Sequence, residues 1–76
     1  MKSPIIVYFH AKDEIDPELF QDCFEETATF MPTFNGGVEV TTVQSFSEVK
    51  HLLSAQFPEE TYYLAKITSR TIRERT

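Results

Sequence analysis

The stretch "PIIVYFHA", residues 4–11, constrains the fold of this chain more than any other segment. It is rich in β-branched and aromatic residues, carries Pro4 at its edge, and reads as a strand. Ile5, Val7 and Phe9 fall on one face, Ile6 and Tyr8 on the other. A strand that is apolar on both sides belongs in the middle of its sheet. The remaining residues must therefore supply a neighbour along each of its edges.

Two segments carry helix signals. "DPELFQDCFEETATFM" predicts a helix over 16–31, with Asp16 as cap and Pro17 at the first helical position. Phe20, Cys23, Phe24, Thr27 and Met31 form its inner stripe, and Pro32 ends it. "SFSEVKHLLSAQF" opens with Ser45 and Glu48 at capping-box spacing and buries Phe46, Val49, Leu52, Leu53 and Phe57 before Pro58. Between them, "TFNGG" is a loop and "VEVTTVQ" alternates as a half-buried strand. "TYYLAKIT" supplies a third strand.

The predicted fold class is therefore α/β, a two-layer sandwich in β-α-β-α-β order. Right-handed crossovers imply a three-stranded, mostly parallel sheet with both helices on one face. The inner sheet face is expected to hold Ile5, Val7, Phe9, Val38, Val40, Tyr63, Ala65 and Ile67. Ile6, Tyr8, His10, Glu39, Thr41, Val43, Tyr62, Leu64 and Lys66 then fall on the face no helix covers. An antiparallel third strand is the alternative topology. Seventy-six residues leave room for one domain, 1–76, with 69–76 as a strand extension or a flexible basic tail bearing Arg70, Arg73 and Arg75.

With 41% hydrophobic residues and seven Phe, the chain is too apolar for a disordered acidic segment. Cys23 is the single cysteine, so no intrachain disulfide forms, and no Cys/His set has zinc spacing. Packing alone must hold the fold. The apolar run at the start is too short for a signal peptide or a membrane span, which leads to the expectation of a cytoplasmic protein. A net charge of −5 disfavours direct nucleic-acid binding.

Half of "DEIDPELFQDCFEE" is acidic: Asp13, Glu14, Asp16, Glu18, Asp22, Glu25 and Glu26. A calcium loop needs oxygen ligands at alternate positions and a turn Gly, but Ile15 and Pro17 interrupt the acids and the first Gly is Gly36. General acid–base work needs a pocket that separates two carboxyl pKa values, and a solvated helix face offers none. No metal, cofactor or enzymatic activity is expected. What remains is the wet side of a helix, or a row of carboxylates that imitates a phosphate backbone. Glu18, Asp22, Glu25 and Glu26 would carry the latter, resembling in character the small acidic inhibitors of phages and mobile elements.

Other reactive groups are weaker candidates. His10 ends the first strand, where Asp13, Glu14 and Ser45 could join it in a polar cluster. His51 reads as a surface residue and Cys23 as a buried small hydrophobe. The element order resembles the first half of thioredoxin-like domains, yet "KDEIDPEL" stands where their Cys-x-x-Cys would follow the first strand. That resemblance implies no redox activity here.

The favoured reading is a non-enzymatic interaction module. Its uncovered sheet face, centred on Ile6, Tyr8, Val43, Tyr62 and Leu64, would bind a protein partner or a second copy as a homodimer. The alternative is the acidic decoy, with the helix at 16–31 filling a basic nucleic-acid-binding groove. Aromatic sheet faces also stack RNA bases in four-stranded recognition domains, but three strands, negative charge and the absence of their motif argue against that use.

Overall fold

A computed structural model describes residues 3–67. Its elements run β1 (Ile5–Ala11), α1 (Pro17–Gln21), β2 (Thr29–Pro32), β3 (Val38–Thr42), α2 (Phe46–Gln56) and β4 (Tyr62–Ile67), with a short 3-10 turn at Glu59–Thr61. Four strands form one sheet in the order β2-β3-β1-β4, and every pairing is antiparallel. The expected three-stranded, mostly parallel sheet in β-α-β-α-β order is therefore wrong. Each helix joins strands that are not neighbours: β1-α1-β2 spans β3, and β3-α2-β4 spans β1. Two such split β-α-β units interleave, so parallel strands never touch. The proposed tail at 69–76 lies outside the described residues.

The first helix is far shorter than its periodicity predicts. Its start is as expected, with the Asp16 carboxylate accepting from Glu18 N at 2.9 Å and Pro17 in the first turn. It ends at Gln21, with no basic residue in its last turn. A longer helix would place Asp22, Glu25 and Glu26 towards its negative end, against the macrodipole, and then add the poor helix formers Thr27 and Thr29. Tight turns take over instead, with Cys23 N on Phe20 O and Phe24 N on Gln21 O at 3.1 and 3.0 Å. These turns still bury Cys23 and Phe24. Residues 29–32 then become β2, so Met31 is an edge-strand residue and not part of a helical stripe.

β2 and β3 form a hairpin. Thr33 N donates to Gly37 O at 2.9 Å and Gly36 N to Thr33 O at 3.3 Å, which closes a loop over Phe34–Gly36. Gly36 takes φ +88°, the left-handed position that three-residue hairpin loops require. The Asn35 side chain reinforces the turn by accepting from the Thr33 hydroxyl at 2.6 Å.

β1 lies centrally, between β3 and β4, as its two apolar faces demand. Val7, Phe9 and Val40 pack under Phe20, Cys23, Phe24, Val49 and Leu53. Rings of Phe9, Phe20, Phe24 and Phe30 interlock at centroid separations of 4.5 to 5.8 Å. α2 matches its sequence pattern, including the Ser45 hydroxyl accepting from Glu48 N at 3.1 Å.

The facing of β4 is opposite to expectation. Phe9 pairs with Leu64 and Ala11 with Tyr62, so Tyr62 and Leu64 turn towards the core, while Tyr63, Ala65 and Ile67 turn outward. Tyr62 stacks on Phe9 at 5.3 Å, but its hydroxyl is buried and has no hydrogen-bond partner among the described residues. Burial, then Glu59 and Cys23, pushes the phenol pKa above its ordinary value, so it stays neutral. Tyr62→Phe removes an unsatisfied group and keeps the stacking. It should raise stability by about 1 kcal/mol in urea unfolding; a loss of stability would reveal a partner for that hydroxyl.

Candidate functional surface

The face away from the helices is built by strand parity. Directly opposed residues share a face in an antiparallel ladder. Ile6 faces Thr41 and Ile67; Tyr8 faces Glu39 and Ala65; His10 faces Tyr63; Met31 faces Glu39. Among the described residues no element covers these side chains. Met31 is 66% exposed and Tyr63 58%, and Phe34 stands fully in solvent at the hairpin tip. Met31, Pro32, Thr33, Phe34 and Glu39 line a shallow concavity of about 420 Å³.

A glycine positions the aromatic centre of this face. A Cβ on Gly37 would come within 2.6 Å of the Tyr8 hydroxyl, so the ring lies over backbone that only Gly leaves clear. Tyr63 meets the Tyr8 ring edge-on at 6.1 Å, and the His10 ring lies 6.3 Å from it. His10 Nε2 is 2.8 Å from the Asn35 carbonyl oxygen, tying β1 to the hairpin loop. A carbonyl only accepts, so Nε2 carries the hydrogen.

Of the residues singled out from sequence, Ile6 and Tyr8 lie on this face and Val43 is exposed just past β3. Tyr62 and Leu64 do not belong to it. Sequence reasoning missed Met31, Phe34 and Tyr63. Met31 carried a signal: "TATF" alternates with period two just before it, ahead of a Gly-containing turn.

The polar cluster around His10 is not assembled. Ser45 follows the end of β3 that pairs with Ile5, whereas His10 sits at the opposite end of β1. The acidic row is not a continuous helix either. Glu18 lies in α1 and Asp22 caps it, but Glu25 turns to its own chain, accepting from Thr27 N at 2.9 Å, from the Thr27 hydroxyl, and from the Thr42 hydroxyl at 3.1 Å. Beside it, the buried Gln44 side chain accepts from Glu25 N at 3.2 Å, shares the single Thr42 hydroxyl hydrogen with Glu25 at 2.8 Å, and donates to Cys23 O at 3.4 Å.

The Thr27 hydroxyl, with further donors behind it, holds the Glu25 carboxyl below its ordinary pKa of 4.5. A carboxyl lowered on folding contributes its full stabilisation above its unfolded pKa and loses it as pH falls through the folded value. Glu25→Gln does not titrate. The fall in urea midpoint between about pH 5 and pH 3 should therefore be shallower in that variant than in the wild type; parallel curves would remove Glu25 from the acid response.

Cys23 is buried, and its thiol points at Leu19 O and Leu52 O at 3.5 and 3.7 Å. Burial, then the Asp22 carboxylate, pushes its pKa above the ordinary thiol value, opposite to what a nucleophile needs. Among the described residues no group of three His, Cys, Asp or Glu side chains could hold a metal ion, and no helix is long and apolar enough to cross a membrane. Comparison with protein-family models, curated proteins and solved structures finds no match for this chain.

Proposed function

We propose that this chain is a non-enzymatic protein-interaction module whose outer sheet face receives another protein. The observation that supports this is the apolar patch of Ile6, Tyr8, Met31, Phe34 and Tyr63, left open by every described element. Apolar patches of this kind are uncommon on proteins that act alone, and Tyr and Met are enriched at interface centres. The Tyr8 ring rests against the Gly37 backbone, where a side chain would displace it from the face. Two candidate reactive groups are occupied structurally, His10 by the hairpin carbonyl and Cys23 by the core.

The fourth strand removes one argument against RNA stacking on this face. Charge still opposes it: Glu39 sits on the face, and the one cation within the described strands, Lys66, lies at an inner-face position. The decoy reading loses its rigid helical array, since α1 is five residues long and Glu25 is engaged elsewhere. Affinity capture from a cell extract separates the three uses. Proteins retained by the wild type should be lost with Tyr8→Ser/Met31→Ser and kept with Glu18→Lys/Asp22→Lys. The reverse pattern favours the decoy, and ribonuclease-sensitive retention favours RNA.

A further inference from the structure

We infer that the free edge of β4 pairs antiparallel with β4 of a second copy, joining two sheets into one of eight strands. β4 ends the sheet, and among the described residues no strand pairs with its outer side. The two sheet edges differ in how they are protected. β2 has four residues and ends in Pro32, which cannot donate. β4 has six residues and no Pro, and its one charge, Lys66, is the single edge-blunting feature it carries.

The ladder specifies which backbone groups are free. Lys12 N donates to Thr61 O at 2.8 Å, which marks that opposed pair as a hydrogen-bonding one. Pairs alternate along an antiparallel ladder. Tyr63, Ala65 and Ile67 therefore turn their N–H and C=O groups towards β1, while Tyr62, Leu64 and Lys66 present theirs outward. Two copies of that edge are self-complementary about a two-fold axis at Leu64. Leu64 then pairs with its own copy, and Tyr62 pairs with Lys66 in both directions, for about six hydrogen bonds.

Side chains agree with this register. A cleft of about 320 Å³ opens between α2 and the β4 edge, lined by Phe46, Lys50, Glu59, Tyr62, Tyr63 and Leu64. A neighbouring strand delivers the second copy's Leu64 beside this cleft, on the core side of the sheet. It also sets the second copy's Lys66 opposite Tyr62, beside a cleft that carries both Glu59 and Lys50. On the outer face each Tyr63 lies against the other copy's Ala65. The joined face stays open to a protein partner, so the dimer stands or falls independently of the proposed function.

Light scattering across a concentration series of the full chain tests the pairing. The expected mass is twice 8.8 kDa, falling towards 8.8 kDa on dilution. Lys66→Pro deletes only an outward N–H and should raise the dimer Kd by roughly 30-fold or more, with unchanged far-ultraviolet circular dichroism. Should that variant unfold, Lys66→Glu sets like charges together and should weaken the dimer about tenfold. Leu64→Cys should oxidise to a covalent dimer, since opposed Cα atoms at a hydrogen-bonded pair lie about 5.5 Å apart. A wild type that stays monomeric at millimolar concentration, including one whose own residues 68–76 occupy the edge, overturns the inference. So does a dimer that neither folded Lys66 variant weakens.

Discussion

Phe20→Ala is expected to lower the melting temperature by about 15–30 °C. Phe20 is the one buried residue of α1, and its ring meets Phe9, Phe24 and Phe30 at 4.5, 5.2 and 5.8 Å. Truncating a buried Phe costs about 3–5 kcal/mol, through lost transfer energy and the cavity left behind. A chain of this size has only about 4–11 kcal/mol in total. A helix of five residues has no stability of its own in water, so losing its anchor also releases the segment between β1 and β2. Calorimetry reads the result directly. Leu19→Ala, on the exposed side of the same helix, is the control and should shift stability by at most about 0.5 kcal/mol.

Gln44→Leu should cost about 2–3 kcal/mol, although it replaces a buried polar side chain with an apolar one of similar size. The reason is what it strands. Glu25 N loses its acceptor and Cys23 O its donor, next to the core, while the Thr42 hydroxyl keeps the Glu25 carboxylate at 3.1 Å. Gln44 is itself buried, so solvent cannot replace the missing contacts without an opening. Chemical denaturation with m-value comparison is the appropriate measurement. Unchanged stability would show that the Gln44 bonds contribute nothing beyond what water supplies.

The sequence carried some of this fold well and some poorly, for identifiable reasons. Two apolar faces on residues 5–9 announced a central strand, and Ser45 with the Val49/Leu53 stripe announced α2. Those signals are local and redundant. Strand direction is neither, because it depends on which strand lies between the ends of each crossover. A five-residue helix followed by buried turns also presents Phe20, Cys23 and Phe24 at spacings that a longer helix would share. On β4 both parities are apolar, with Tyr62 and Leu64 against Tyr63, Ala65 and Ile67, and Lys66 pointed the assignment to the wrong side. Only the register with Phe9 decides it. The candidate surface was legible to the extent that β1 owns it, at Ile6 and Tyr8, and illegible where it depends on β2 and β4.

The interleaving of the two crossovers also sets how this chain can come into being. Among the described residues β1 pairs with β3 and β4, and β2 with β3, so the two strands before the hairpin loop share no ladder hydrogen bond with one another. A nascent chain released as far as residue 33 would have two strands and nothing to zip them together. Pairing must wait until β3 has been synthesised, since both β1 and β2 adjoin it, and β1 can meet its two neighbours only through long-range contacts. Cut at the Phe34–Gly36 loop, it should yield two fragments that are each shapeless alone and that reconstitute the native sheet when mixed.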